Sequence, residues 1–296
     1  RPAAASLALG SPQRSLAFVK LLLHAPESIV SDTECGAMLD AAVGLLMAQR
    51  ACAMAERGDV TPPPRVAAWV PRSHSLRHFP SQIDAECGAL LASPGLSAEA
   101  CAGALAAQVL LGRLSLGRLV ATFLAARTQW VTNALAGTAS APPSDAAPGG
   151  GSAPASARGG SEATLASAHA QLQRLVAAVR DTIVHAAAMF PPAATPIVPL
   201  MLQESAARLS AIGRGASHSP RSSAARNGGT GGGEGEEPSE PAWATIARAP
   251  SHAFDALSAE TTKNECTSWL ESQLQRIWDS SAVLSGIGTM RDMAGL

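Results

Sequence analysis

Residues 115–131, SLGRLVATFLAARTQWV, set Leu116, Leu119, Val120, Phe123, Leu124, Trp130 and Val131 along one wide stripe. Apolar residues three and four apart share a side only where the chain advances about 3.6 residues per turn. That period recurs through most of the sequence and constrains the fold more than any other feature. In 36–56 it is carried by Leu39, Val43, Leu46, Met47 and Met54, and in 97–111 by Cys101, Leu105 and Val109. Leu165, Leu172, Leu175, Val176, Val179, Ile183 and Phe190 form a longer stripe that must stop at Pro191 and Pro192. A shorter stripe follows with Met201, Leu202, Leu209 and Ile212, and a last one with Cys266, Trp269, Leu270, Ile277, Leu284 and Ile287. Helix starts are marked by Ser97, Ser115 and the capping-box spacing of Thr262 and Glu265. Sustained two-residue alternation of β-branched residues is missing, so no sheet is predicted.

The stripes are broader than a coiled-coil seam, so the predicted fold is all-α, with amphipathic helices stacked as a rod or bundle. Two segments interrupt the period. Residues 137–161, GTASAPPSDAAPGGGSAPASARGGS, and 213–241, GRGASHSPRSSAARNGGTGGGEGEEPSEP, carry too little apolar surface to offset their ordering entropy. They are expected to be disordered linkers. The expected organisation is a disordered or partial N-terminus at 1–14, a helical bundle at 15–136, and helical segments at 162–212 and 242–296.

Within the first bundle, FVKLLLHAPESIV (18–30) puts Pro26 just behind Leu21, Leu22 and Leu23. Proline suits the first turn of a helix, where its missing N–H costs nothing, and it biases Ala25 away from helical torsions. One helix is therefore expected to end at His24 and another to begin at Pro26, with the three leucines buried at the corner.

Composition narrows the functional classes. The net charge is -1 and lysine occurs only at Lys20 and Lys263, so the basic stripe of a nucleic-acid binder is missing. The Ala, Arg, Gly and Pro excess is what a GC-rich genome imposes. Much of the apolar content is alanine, which buries little area. No run reaches the ~18 apolar residues of a membrane span, and the chain is expected to be soluble and cytosolic. It begins at Arg1, as expected of a fragment. The five cysteines, Cys35, Cys52, Cys87, Cys101 and Cys266, make no C-x-x-C pair and predict reduced, buried thiols.

No catalytic, cofactor-binding or metal-binding residue is predicted, and no cofactor. The motifs H-E-x-x-H, G-x-S-x-G and S-x-x-K are missing, and GGTGGGEGEE lacks the lysine of a phosphate loop. His74 and His78 stand four apart, as two ligands on one helix face would, but no third ligand lies beside them. His24, His169 and His185 are solitary. Glu234, Glu236, Glu237 and Glu240 fall in a linker, where nothing holds a catalytic acid rigid. Arg221 and Arg226 lie near serines, a pattern common in linkers. Trp69, in PPPRVAAWVPRSHSLRHFP, is expected to pack a connector rather than to anchor a partner.

The order of segments carries a resemblance. VKLLLHAPESIV leads to MLDAAVGLLMAQRA, then to SLRHFPSQIDAEC, LSAEACAGALAAQVLLGRLSLGRLVATFLAARTQWV and NECTSWLESQLQRIWDSSAVLSGIGTMRDMAGL. This succession resembles subunit 1 of the conserved oligomeric Golgi complex. Leu114, Ser115, Phe123, Leu124 and Arg127 fit one motif of that family, and Trp269, Leu270, Arg291, Asp292, Ala294 and Leu296 fit another. Val30 departs from it, standing where the family has an aromatic residue. The resemblance implies a peripheral subunit on the cytosolic face of the Golgi membrane, without enzymatic activity, acting in retrograde intra-Golgi vesicle tethering and Golgi organisation. It implies the other subunits of that complex as partners, and SNAREs, Rab GTPases and coat proteins besides. Two competing expectations are a generic helical adaptor and a helical enzyme whose site lies elsewhere.

Overall fold

Ten residues of one helix, Cys101 to Leu110, are buried on every side, and the other helices are arranged around them. The computed structural model describes residues 11–57, 76–136, 159–214, 242–248, 254–255 and 257–293. Among the described residues the secondary structure is helical and contains no strand, so the all-α class stands. The helices are α1 (Ser11–Glu34), α2 (Met38–Glu56), α3 (Phe79–Leu91), α4 (Ala98–Leu110), α5 (Leu119–Ala136), α6 (Gly159–Met189), α7 (Ile197–Arg214), α8 (Ala242–Arg248) and α9 (Ala259–Met293). A short 3-10 turn, Leu116–Arg118, leads into α5.

The buried helix is α4. Four of its alanines, Ala102, Ala104, Ala106 and Ala107, are fully enclosed. Small side chains let helix axes approach closely, and α2, α3, α6, α7 and α8 all pack on α4. Alanine therefore serves here as spacing rather than as buried area. Ser97 caps α4 as expected, its hydroxyl accepting from the Ala100 N–H at 3.1 Å. Gln108 Nε2 donates to Asp84 Oδ1 at 2.8 Å and ties α4 to α3.

The corner expected at Pro26 is not formed. Pro26 lies inside the single helix α1, with a half-buried side chain. An interior proline removes one backbone hydrogen bond and costs about 3 kcal/mol. The buried face of α1, Phe18, Ala25 and Ile29, continues through that position and packs on α2, which offsets the loss. The leucines divide differently from expectation: Leu21 and Leu22 are half-buried, and Leu23 is 44% exposed. The chain turns after α1 instead, where Gly36 has φ +75, a left-handed torsion that favours glycine. There the Ala37 N–H donates to the Asp32 carbonyl at 2.7 Å and the Gly36 N–H to the Thr33 carbonyl at 3.1 Å.

Helix α2 is long and apolar enough to cross a membrane by length and composition, although Asp40, Gln49 and Arg50 interrupt its apolar residues. Met38, Ala41, Ala42, Val43, Leu45, Met47, Ala48, Ala51 and Cys52 are buried along it, against α1, α3, α4 and α7. Its apolar character is thus used inside the bundle.

The cap of α9 also shifts. Helix α9 begins at Ala259, and Ser258 Oγ accepts from the Thr261 N–H at 3.0 Å. Thr262, expected as the cap, is buried within the first turns, where it faces the core. Ser115 stands at the head of the 3-10 turn without a side-chain capping bond. The expected linkers at 137–161 and 213–241 fall largely outside the described residues, though α6 already begins at Gly159 and α7 runs to Arg214. Likewise, α1 begins at Ser11, inside the segment 1–14.

Candidate interaction surface

The residues weighed for chemistry in the sequence are dispersed by the fold. His74, Trp69, Arg221, Arg226, Glu234, Glu236, Glu237 and Glu240 lie outside the described residues. His78 is exposed at the head of α3, and His24 sits 3.8 Å from Glu27 on the exposed side of α1. His169 is exposed on α6. Among the described residues no three metal-ligating side chains gather. The cysteines are unpaired: Cys52, Cys87 and Cys101 are buried, Cys266 is half-buried and Cys35 is exposed. Burial, with Asp84 and Glu86 nearby, pushes the Cys87 thiol up to about 12, so it stays protonated and inert as a nucleophile.

One polar cluster does form, and its centre is Arg127. This side chain is only 1% exposed. Its Nη1 donates to the Ser93 carbonyl at 3.0 Å and its Nη2 to Cys101 Sγ at 3.0 Å. Nη2 also lies 3.4 Å from His185 Nδ1, a contact that requires the ring nitrogen to accept. The guanidinium carbon stands 5.3 Å from the Phe123 ring centre and 5.2 Å from that of Trp130, both within cation–π range. Nε is left without a partner among the described residues. The cluster thereby joins the α3–α4 loop, α4, α5 and α6 through one side chain. Burial, and then the adjacent Arg127, lower the His185 pKa, with Asp181 opposing. Burial raises the Cys101 thiol, with Arg127 opposing. Cys101 and Arg127 are enclosed, and the arrangement holds helices together.

The Trp269 and Leu270 pair acts at a second junction. Trp269 Nε1 donates to Thr128 Oγ1 at 2.8 Å, and that hydroxyl donates to the Leu124 carbonyl at 2.9 Å. Helix α9 is thereby fixed to α5 at Thr128, the residue next to Arg127. A small apolar cluster of Val131, Leu175 and Ala178, with Trp130 and Ile277 against it, extends the contact to α6.

What faces outward is apolar in places that the core does not use. On α6, Leu175, Ala178, Thr182, Ala186 and Met189 are buried. The row beside them, Leu172, Val176 and Val184, is exposed, with Val176 at 57%. Leu172 and Val176, with His169 and Arg180, line a shallow groove of about 290 Å³. On α9, Leu274 and Trp278, four residues apart, are also exposed, Trp278 at 72%. The sequence stripe contained Leu172 and Val176 but gave them the wrong side of the helix. It did not single out Val184, Leu274 or Trp278.

Comparison with protein-family models, with curated proteins and with solved structures finds no match.

Proposed function

We propose that this chain is a non-enzymatic scaffold subunit of a Golgi vesicle-tethering complex, acting in retrograde intra-Golgi transport from the cytosolic face of the membrane. The observation that carries the scaffold part is the outward apolar row of α6, Leu172, Val176 and Val184. Apolar side chains at helical spacing on an exposed face suit a partner helix laid against them. Helices α6 and α9 have 31 and 35 residues, so at 1.5 Å per residue they extend about 46 Å and about 52 Å. Elements of that length provide reach, and their outer faces provide contact surface. The Golgi assignment rests on the succession of segments from VKLLLHAPESIV to the Trp269–Leu270 helix. The partners proposed are the other subunits of the complex, with SNAREs, Rab GTPases and coat proteins engaged by the assembled tether.

Localisation tests both parts together. The fluorescently tagged chain is expected at the Golgi of its own cells, and Leu172→Asp with Val176→Asp is expected to disperse it into the cytosol without lowering its melting temperature. A wild-type chain that is diffuse would remove the Golgi assignment. A double variant that still concentrates at the Golgi would remove α6 as the contact face.

A further inference from the structure

The seven residues of α8, AWATIAR, place Trp243 and Ile246 three apart, on one side of a helix. Ile246 is 1% exposed and belongs to the main core, and Trp243 is half-buried against that core. Thr245, Ala247 and Arg248 are exposed. Three other helices build the seat. Helix α8 packs on α7 and α4, and the Arg50 guanidinium of α2 stands 4.9 Å from the Trp243 ring centre. The bundle thus holds an apolar groove with a cation at its edge, and a short helix of the same chain lies in it.

Seven residues are too few for a helix to keep its own form in water, where roughly 12–15 are needed. The groove therefore imposes the helical form on α8. Its grip is one buried side chain among the described residues, whereas α7 gives Val198, Leu202, Ala206 and Leu209 to the same core. Beyond α8 the chain is anchored again without it. Leu257 is 3% exposed and its N–H donates to the Phe254 carbonyl at 2.9 Å, before α9 begins at Ala259. Helices α7 and α9 can keep their places while α8 leaves, and elements with few buried contacts open first. Residues 215–241 join α8 to α7, so α8 competes for the groove at the raised effective concentration of a covalently attached segment.

We infer that the groove of α2, α4 and α7 is a docking site for an amphipathic helix of a partner protein, one that presents an aromatic residue and an aliphatic residue three positions on. Helix α8 is the segment that such a helix displaces. The two anchors are those that the groove already accepts: its apolar floor takes the aliphatic side chain, and Arg50 takes the aromatic face. Anchors at this spacing are how a helix laid in a groove is recognised. The groove lies apart from the α6 row, and the inference stands whether or not the chain serves a Golgi tether.

A labelled peptide of residues 238–250, PSEPAWATIARAP, is the probe, read by fluorescence anisotropy with the whole chain. Ile246→Ser in the chain removes the anchor of its own α8 and should tighten peptide binding about tenfold or more, because the attached competitor is lost. The same change in the peptide should abolish binding. Arg50→Ala, added to the Ile246→Ser chain, should weaken the peptide about threefold, which separates this groove from the α6 row. In the unaltered chain, amides 246–248 should exchange with solvent about 100-fold faster than those of α4, or faster still. Four results overturn the inference: a peptide that binds the Ile246→Ser chain no more tightly than the unaltered one, or not at all; binding that Arg50→Ala leaves unchanged; loss of the cooperative melt in Ile246→Ser; and amides 246–248 that exchange as slowly as α4.

Discussion

Arg127 is the residue at which sequence and structure teach most. A buried guanidinium without a carboxylate costs several kcal/mol of desolvation. The Ser93 carbonyl, the Cys101 sulfur, the His185 ring and two aromatic faces offset part of that cost. Truncation in Arg127→Ala leaves a cavity between Phe123 and Trp130 and should destabilise the fold by about 2–4 kcal/mol. Arg127→Met keeps the volume and removes the buried charge, so it should cost much less or even stabilise. Denaturant midpoints of the two variants check this, and equal losses would show that the charge itself is needed. Arg127 was visible in the sequence as a motif position, and it falls within the stripe between Phe123, Leu124, Trp130 and Val131. Charge alone argued for the outside, so its burial was not legible. His185 gives a pH dependence with a definite sign. Its folded pKa is lowered, so as pH falls the unfolded chain takes up the proton first. Stability should hold at neutral pH and decline from about pH 6.5 downward through the depressed value. In His185→Gln that part of the decline should vanish, as urea midpoints at about pH 7 and about pH 5 would reveal.

At the scale of elements, α1 shows why a local rule failed. Proline ends helices because of a lost hydrogen bond, and that penalty is fixed. What it is set against, the burial of Phe18, Ala25 and Ile29 on α2, depends on a neighbour that periodicity cannot place. Pro26→Ala should therefore stabilise the protein by about 1–3 kcal/mol, since it restores the hydrogen bond without disturbing the buried face. A melting temperature lowered by that change would mean that the proline's restriction of the unfolded chain outweighs the bond. The capping error on α9 has a related cause. Thr262 and Glu265 have the spacing of a cap, but Ser258, one turn earlier, lies beyond the residues at which the stripe begins. By contrast the Ser97 cap and the stop at Pro191 were legible, because each is fixed by residues next to it in sequence.

For the whole molecule, the all-α class followed from periodicity alone, since a 3.6-residue repeat cannot be satisfied by a strand. The role of α4 did not follow. A helix buried all round has no polar face, and its alanines looked like compositional bias until five helices were seen around it. The outer face of α6 was hidden for the opposite reason. Both its buried and exposed rows are apolar, so the stripe alone did not say which row met the core. A chain with a polar exterior would have been easier to orient, and the exposed apolar side chains on α6 and α9 are what the proposed scaffold role would cover. The measurement that tests this most directly is affinity purification of the tagged protein from its own cells, read by mass spectrometry. Stoichiometric recovery of the other Golgi-tether subunits is the predicted result; a soluble, folded bait that recovers none of them would contradict it.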